Sequence, residues 1–249
     1  MRLEGQVAIV TGGASGFGRG IAQVFAREGA RVIVADVNGE AAISVAQEIG
    51  GGAIGVTADV TRKPDVEAMV ATAVDTCGGL DILVNNAGFT HKNQSLLTVS
   101  EDDFDRIYAV NVKAIYLTTL AAVPVMEKRG GGVIINTAST AGLRPRPGLT
   151  WYNGSKGAAI TLTRSMAVEL APRKIRVNAI NPVIGETGML EDFMGLSDTP
   201  ENRAKFIAGI PLGRMSKPED IANAALFLAE PSSNFITGLA IEVDGGRCI

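Results

Sequence analysis

Tyr152 and Lys156 place a phenol and an ammonium group four residues apart in a segment that we predict to be helical. At this spacing the two side chains lie on one face of a helix, one turn apart. A free phenol has a pKa of about 10, and a nearby cation favours its phenolate form. Tyr152 could therefore take the hydroxyl proton of an alcohol as hydride leaves the carbon, or return a proton in the reverse direction. The alternative is a pair of solvated side chains on a helix surface.

Ser139 follows the apolar run Gly132–Ala138, thirteen residues before Tyr152. A hydroxyl group at the end of this predicted strand could hold a substrate oxygen next to the phenol. It could equally be a serine that caps a turn or a helix, and Thr137 and Thr140 offer similar hydroxyl groups. The sequence alone does not choose among the three.

A glycine-rich turn near the N-terminus offers a place for a pyrophosphate group. The apolar run Val7–Val10 predicts a buried strand, and helical spacing resumes at Phe17. Between them the glycines have the spacing Gly12-x-x-x-Gly16-x-Gly18. Free backbone N–H groups and the positive end of a helix dipole would meet at this turn. A tight turn that binds nothing is the alternative.

Asp36 strengthens the prediction of a dinucleotide site. It lies eighteen residues beyond Gly18, directly after the apolar run Val32–Ala35. A carboxylate at this point can accept hydrogen bonds from the ribose of adenosine, and it would repel a 2′-phosphate. Because Ala14 and Ser15 supply no basic group to the turn, we predict NAD rather than NADP as the cofactor.

The order of the predicted elements indicates how these residues are brought together. Strands alternate with helices, which predicts an α/β fold with a Rossmann-type, doubly wound parallel sheet of about seven strands and helices on both faces. A single domain would span 1–249, with a substrate-binding segment at about 183–210. The predicted strands are Val7–Val10, Arg31–Ala35, Ala53–Ala58, Asp81–Val84, Gly132–Ala138, Arg176–Ile180 and Leu239–Val243. The predicted helices begin at Phe17 and then cover Gly39–Ile49, Pro64–Cys77, Ser100–Lys128, Thr150–Ala171 and Pro218–Leu228.

Composition narrows the classes of function. The net charge of −3 favours neither a nucleic acid nor an anionic membrane as partner. Cys77 and Cys248 form no C-x-x-C motif, no apolar run reaches membrane-spanning length, and the N-terminus is unlike a signal peptide, so we expect a cytoplasmic protein. His91 is the only histidine. We predict no metal site, and we place His91 in a surface loop, with pocket lining as the minor alternative.

Taken together, these motifs resemble those of the short-chain dehydrogenase/reductase family, in its compact single-domain branch, over nearly the whole chain. The matching positions are Thr11–Gly18, Asp59, Asn85–Gly88, Asn111, Ser139, Tyr152 with Lys156, Asn181-Pro182, Thr187, Ile210–Arg214, Pro218–Ile221 and Val243–Gly246. The number of motifs and their order make this resemblance highly specific.

The resemblance implies roles for four catalytic residues. Tyr152 would be the acid/base, and Lys156 would bind the nicotinamide ribose and lower the tyrosine pKa. Ser139 would orient the substrate oxygen. Asn111 would hold a water that links Lys156 to solvent. From the residues alone, Asn111 is only a polar break in an apolar helix that could kink it.

The same resemblance, with the glycine turn and Asp36, predicts the residues that bind the cofactor. They are Gly12, Ser15, Gly16, Phe17, Gly18, Asp36, Asp59, Val60, Asn85, Ala87, Gly88, Tyr152, Lys156, Pro182, Gly185 and Thr187. The family usually has Pro-Gly where this chain has Pro182-Val183, and an aliphatic residue in place of Gly185. We expect cofactor binding to survive, with Ile184 and Gly185 rearranged.

The substrate is less readable. Ser139, Arg144, Tyr152 and Met189 are the predicted substrate contacts. Further residues of the segments that form the pocket in this family are Phe89, His91, Leu143, Arg146, Trp151, Leu190, Phe193 and Met194. Their apolar character suggests a small, fairly hydrophobic alcohol or ketone. Arg144 and Arg146 could bind a carboxylate or phosphate, or be solvated or contact another subunit.

We therefore expect an NAD-dependent oxidoreductase that acts on a secondary alcohol: a small alcohol, polyol, sugar or hydroxy acid. The alternatives are a 3-oxoacyl thioester reductase of the same family, a non-catalytic NAD-binding regulatory protein and, with less support, an epimerase or dehydratase. The resemblance also implies a homotetramer, in which the helices predicted at Ser100–Lys128 and Thr150–Ala171 pair across one interface.

Overall fold

The computed structural model describes residues 1–249 and confirms the predicted fold class. Seven strands form one parallel sheet in the order β3-β2-β1-β4-β5-β6-β7, so the chain reverses its direction of winding between β1 and β4. The strands are β1 (Val7–Thr11), β2 (Arg31–Asp36), β3 (Ile54–Thr57), β4 (Ile82–Asn85), β5 (Gly132–Thr137), β6 (Ile175–Pro182) and β7 (Ala240–Val243). In such sheets, ligands bind beyond the carboxyl ends of the strands, at the point of reversal.

Helices cover both faces of this sheet. They are α1 (Gly16–Arg27), α2 (Gly39–Ile49), α3 (Lys63–Cys77), α4 (Glu101–Tyr108), α5 (Ala114–Lys128), α6 (Thr150–Leu170), α7 (Leu190–Met194), α8 (Pro200–Ile207) and α9 (Pro218–Ala229). Strand β1 shows how the core divides. Ala8 and Val10 pack in the apolar cluster formed with α1 and α9, whereas Val7 and Ile9 pack in the cluster formed with α3 and α5. Since consecutive side chains of a strand point to opposite faces, both faces of β1 must be apolar.

The helix predicted at Ser100–Lys128 is interrupted at its middle. A π-helical turn, Ala109–Lys113, separates α4 from α5 and contains the polar residue Asn111. Helix α4 begins where predicted, because the Ser100 side chain accepts a hydrogen bond from the Asp103 N–H group at 3.1 Å.

The run Glu101–Lys128 is also long and apolar enough to cross a membrane by length and composition alone, contrary to the sequence-based expectation. Core helices of soluble proteins pass the same test. Here Leu117, Ala122 and Met126 are buried in the cluster shared with α3 and the sheet, which accounts for the apolar composition of α5.

The stretch after β6 contains two helices, α7 and α8, that periodicity did not predict. Helix α8 begins with two ordinary start signals: the Thr199 hydroxyl accepts a hydrogen bond from the Asn202 N–H group, and Pro200 occupies its first turn. No residue of α8 is fully buried, so the helix lacks the apolar stripe that would have revealed it.

Candidate active site

One cavity of about 580 Å³ lies at the carboxyl ends of the strands. It extends from the glycine turn after β1 to the start of α6. The predicted residues that line it are Gly12, Ser15, Gly16, Phe17, Asp36, Asp59, Val60, Ala87, Gly88, Ser139, Tyr152, Lys156, Pro182, Gly185, Thr187 and Met189. The structure therefore brings together residues that follow six different strands.

The start of α1 presents free N–H groups to this cavity. Ser15 occupies the N-cap position, but its side chain makes no capping hydrogen bond, and the first turn contains no acidic residue. An anion placed here would meet unpaired donors and the positive end of the helix dipole. These residues fit the pyrophosphate of a dinucleotide, which Ser15, Gly16 and Phe17 would hold.

Gly18, in contrast, lies outside the cavity, so its predicted contact with the cofactor is not what the structure shows. A Cβ atom at Gly18 would lie 2.1 Å from the backbone oxygen of Gly12 and 2.5 Å from Nδ2 of Asn86. The glycine allows the turn to pack closely against its own helix. Gly18 therefore shapes the glycine turn without lining the cavity.

Asp36 ends β2 with its carboxylate at the cavity. One oxygen accepts a hydrogen bond from the Ala14 N–H group at 3.1 Å, and the other accepts one from Asn38 at 3.0 Å. The carboxylate is thereby fixed next to the glycine turn, where the adenosine ribose of a dinucleotide would lie. Asp59 also lines the cavity, and its Oδ1 accepts hydrogen bonds from the backbone and hydroxyl of Thr61.

Asn85 is another predicted cofactor residue that the structure places outside the cavity. Its Nδ2 donates to Asn136 Oδ1 at 2.9 Å, and its Oδ1 accepts from the Thr118 hydroxyl at 2.9 Å. The next residue, Asn86, lines the cavity instead and was missed; its Nδ2 donates to the Thr11 oxygen at 3.0 Å. Alternation along the sequence gave no signal of this, because every residue of β4 is buried, whichever face its side chain points to.

Three of the four residues predicted to carry the chemistry meet at the other end of the cavity. Tyr152 and Lys156 lie one turn apart on α6, and Lys156 Nζ is 5.8 Å from the centre of the Tyr152 ring. The same Nζ donates to the Thr137 oxygen at 2.8 Å. Of the three candidate hydroxyl groups, that of Ser139 is the one beside the phenol. The Ser139 and Thr140 hydroxyl groups both donate to the Pro182 oxygen, at 3.5 Å and 3.3 Å.

Burial controls the protonation of this pair. It raises the pKa of Tyr152 to about 12, and the Ser139 hydroxyl offsets only part of that rise. It lowers the pKa of Lys156 to about 8. Burial and the Ser139 hydroxyl account for this shift of the tyrosine pKa, and the expectation that Lys156 lowers the same pKa stays a prediction. A second positive charge at the site, such as that of an oxidised nicotinamide ring, would act in the direction that favours phenolate.

Asn111 connects two parts of the site from outside the cavity. Its Nδ2 donates to the Phe89 oxygen and to the Ser155 hydroxyl, and its Oδ1 accepts from the Phe89 N–H group, all at 2.9 Å. The residue therefore ties the loop after β4 to the catalytic helix α6. Its role in holding a water next to Lys156 stays a prediction.

Gly185 shows why this chain departs from the usual family pattern. A Cβ atom there would lie 2.4 Å from Cζ of Phe17 and 2.7 Å from the hydroxyl oxygen of Ser216. The backbone is held in place by Glu186, whose N–H group donates to the Ser216 oxygen at 3.1 Å. The aromatic ring of Phe17 thus occupies the volume that a side chain at position 185 would need.

The substrate end differs most from the sequence-based expectation. Arg144 lies outside the cavity, because its guanidinium donates to the backbone oxygen of Arg247, whereas Arg146 lines it. Trp151 is also outside; its ring meets Phe104 edge-on, with centroids 5.4 Å apart. Phe193, which does line the cavity, contacts the Tyr152 ring edge-on at 5.1 Å.

The placement of His91 in a surface loop is wrong. The side chain is 2 % exposed, and its Nδ1 lies 2.8 Å from the Lys92 backbone oxygen. It does not line the cavity. A single histidine between polar residues gave no periodic signal of burial, since the loop is held by tertiary contacts rather than by a regular element. The structure clusters no three metal-ligating side chains.

Comparison with known proteins agrees with this geometry. A family model described as "Enoyl-(Acyl carrier protein) reductase" matches residues 12–247. The 4-formylbenzenesulfonate dehydrogenase TsaC1/TsaC2 of Comamonas testosteroni is 52% identical over 100% of both chains. The 3-oxoacyl-[acyl-carrier-protein] reductase FabG of Thermotoga maritima is 40% identical, again over 100% of both. The crystal structure of a 3-ketoacyl-(acyl-carrier-protein) reductase from Brucella melitensis complexed with NADH superimposes with a TM-score of 0.94, at 48% identity over 99% of this chain and 100% of that one.

Proposed function

Because this chain belongs to the short-chain dehydrogenase/reductase family and is an oxidoreductase of that family, we propose that it transfers a hydride between an alcohol and NAD, with Tyr152 as acid/base. The observation that carries the proposal is the single cavity that holds Asp36 and the glycine turn at one end and Ser139, Tyr152 and Lys156 at the other. A cofactor bound along it would extend from the adenosine site to the phenol.

Three residues of the chain have separate roles in the proposed reaction. NAD, when bound, supplies the acceptor for the hydride. The Tyr152 phenolate takes the hydroxyl proton of the alcohol, and Ser139 holds the same oxygen by a hydrogen bond. Lys156, fixed by the Thr137 oxygen, adds positive charge that stabilises the phenolate. In the reverse direction Tyr152 returns the proton to the carbonyl oxygen.

Asp36 supports NAD over NADP. Its carboxylate lines the cavity beside the glycine turn, and a 2′-phosphate at this position would meet a negative charge. The Brucella relative, whose structure contains NADH, lends the same proposal support.

The test is a spectrophotometric assay of NAD(H) and NADP(H) turnover. The panel comprises secondary alcohols, polyols, hydroxy acids and their ketones, with 4-formylbenzenesulfonate included because of the Comamonas relative. Tyr152→Phe should lower kcat roughly 10²–10⁴-fold. Tyr116→Phe, which removes a phenol hydroxyl from an exposed position on α5, is the matched control and should keep full activity. Tight NAD binding without turnover of any panel member would instead favour a regulatory protein.

A 3-oxoacyl thioester reductase is the second candidate, favoured by the similarity to the Thermotoga and Brucella proteins. An acetoacetyl thioester in the same panel distinguishes the two. Turnover of the thioester well above that of simple ketones and alcohols would establish the reductase.

We propose, in addition, that the protein is a homotetramer. Large apolar side chains are exposed on the helices that would pair, among them Leu120 on α5 and Val168 on α6, and Phe235 near the C-terminus is fully exposed. Sedimentation velocity tests this: a species of four times the 25.9 kDa chain mass is expected, and a monomer at micromolar concentration would rule it out.

A further inference from the structure

Five charged side chains line the cavity. For four of them, the position or the contacts account for the charge. Asp36 and Asp59 lie at the dinucleotide end, and Lys156 lies beside the phenol. Arg106 is exposed and covers the Phe89 ring, with its guanidinium carbon 4.2 Å from the ring centre. The fifth is Arg146, in the loop between β5 and α6.

Arg146 is a partly buried cation without a counter-ion. Its guanidinium donates no hydrogen bond to the protein, and no carboxylate lies within 4 Å of it. Arg176 provides the contrast. Burial lowers the pKa of both arginines, but the Arg176 guanidinium donates to the backbone oxygens of Leu228 and Ile236. Because an unpaired buried charge is costly, a cation that faces a cavity in this state is suited to an anionic ligand.

The charges around Arg146 do not neutralise it. Arg247 is close enough that its like charge further lowers the pKa of Arg146. The neighbouring Cys248 thiol has its pKa raised to about 11 by burial, so it is uncharged near neutral pH. Arg247 therefore adds a like charge near Arg146, and the uncharged Cys248 thiol does not offset it.

The guanidinium is held in position by packing. Its carbon lies 5.2 Å from the centre of the Phe206 ring, which belongs to α8 in the substrate-binding segment. The backbone of the same residue is fixed by Asn153, whose Nδ2 donates to the Arg146 oxygen at 2.8 Å. The charge is thus held at the substrate end before a substrate binds. It lies away from the start of α1, where the pyrophosphate would bind.

Apolar side chains line the same cavity as Arg146 and the phenol. They include Leu149, Met189 and Phe193, and the Phe193 ring lies against that of Tyr152. We infer that Arg146 determines substrate specificity. It selects an alcohol or carbonyl compound that carries a carboxylate or sulfonate on an apolar body. This inference rests on the proposed oxidoreductase function of the same site.

The experiment compares carbonyl compounds that differ only in the anion. The pairs are acetophenone with 4-acetylbenzoate and benzaldehyde with 4-formylbenzenesulfonate, each reduced with NADH. In the wild type the anionic member of a pair should have the higher kcat/KM. Arg146→Met, which keeps an apolar stem, should lower kcat/KM for that member roughly 10- to 100-fold, mainly through KM, and change the neutral member less than about threefold.

Two further variants keep the result interpretable. Arg146→Lys should restore part of the preference for the anion, because lysine retains the charge without the planar pair of donors. Arg144→Met removes an equivalent charge two residues away and outside the cavity, so it should leave the preference intact. The affinity for NADH should be the same in all of these proteins.

Failure of this inference is distinguishable from failure of the proposed function. Equal kcat/KM for the two members of both pairs in the wild type, or a preference that survives Arg146→Met, would overturn the role of Arg146 and leave the oxidoreductase intact. If no pair is turned over, calorimetric titration of 4-acetylbenzoate and acetophenone into the enzyme–NADH complex decides instead. Tighter binding of the anion that disappears in Arg146→Met supports the inference, and equal binding overturns it.

Discussion

The two ends of the cavity are built in different ways. At the dinucleotide end, strand termini hold the binding groups through the backbone: the Gly13 N–H group donates to the Ala35 oxygen at 3.0 Å, and that of Ala58 donates to the Asp36 oxygen at 2.8 Å. At the substrate end, separate loops are joined by a few contacts, such as those from the Asn93 N–H group to the Asp192 oxygen at 2.9 Å and from the Gln94 N–H group to the Gly148 oxygen at 3.0 Å. The first end is fixed by the fold, whereas the second depends on which side chains the loops carry.

The two ends should therefore tolerate substitutions differently. A side chain added at Gly18 meets backbone atoms that cannot move away, so it should destabilise the fold. A side chain added at Gly188 meets no atoms, so it should leave stability nearly unchanged. Four experiments test that contrast.

Two glycines give the sharpest contrast. Gly18→Ala should lower the free energy of unfolding by roughly 3 kcal/mol or more, because the new Cβ would lie 2.1 Å from a backbone oxygen. Gly188→Ala, which would place its Cβ in open space at the substrate end, should change it by less than about 0.5 kcal/mol. Urea denaturation at one protein concentration measures both. Equal midpoints for the two variants would refute the contrast.

Phe17 and Gly185 test a contact between the two ends. Gly185→Ala should cost about 1–3 kcal/mol of stability and weaken NADH binding, because the Cβ would lie 2.4 Å from the Phe17 ring. Adding Phe17→Leu, which removes that part of the ring, should recover at least half of the loss. A thermal-denaturation double-mutant cycle measures the coupling. Strictly additive effects would show that the clash is relieved elsewhere, for instance by Ser216.

Asp36→Asn tests the cofactor preference. The substitution keeps an oxygen that can accept from the backbone but removes the charge that opposes a 2′-phosphate. We expect the ratio of kcat/KM for NAD to that for NADP to fall by about tenfold or more, equivalent to about 1.4 kcal/mol. A wild type that prefers NADP would contradict the NAD proposal directly.

Lys156→Met should make the protein more stable while removing activity. Burial lowers the folded-state pKa of Lys156 from 10.5 to about 8, so below pH 8 the fold carries the full cost of a buried charge. That cost disappears as the pH rises from 8 to 10.5, since the unfolded chain then binds more protons than the folded one. Allowing for the lost hydrogen bond to the Thr137 oxygen, we expect a gain of about 1–2 kcal/mol at pH 7.

The readout for Lys156→Met is the difference in unfolding free energy between variant and wild type, measured from pH 7 to pH 10. The gain should shrink across this range as the wild type loses its proton. A gain that stays constant with pH would mean that the buried charge is not its cause.

The contrast between the two ends also explains what the sequence could predict. The strand–turn–helix at Val7–Arg27 and the acid at Asp36 follow from local patterns, because backbone geometry there is dictated by neighbouring residues. The resemblance to the family assigned Asn85 to the cavity, whereas its side chain bonds to Asn136 and Thr118 inside the fold. Contacts between distant segments keep Arg144 out of the cavity, place Arg146 in its lining and bury His91. Such contacts leave no periodic trace in the sequence.

Because of the π-helical turn at Ala109–Lys113, the geometry of the site depends on the number of residues in this segment. Each additional residue in a helix turns the following side chains by about 100°, and a π-turn absorbs one such residue without ending the helix. Deleting a single residue here would allow α4 and α5 to merge into one continuous α-helix. The half that carries Arg106 and the half that carries Thr118 would then rotate relative to each other, and Asn111 could not reach both Phe89 and Ser155. At this position an insertion or deletion, rather than a substitution, would be the event that remodels the catalytic end.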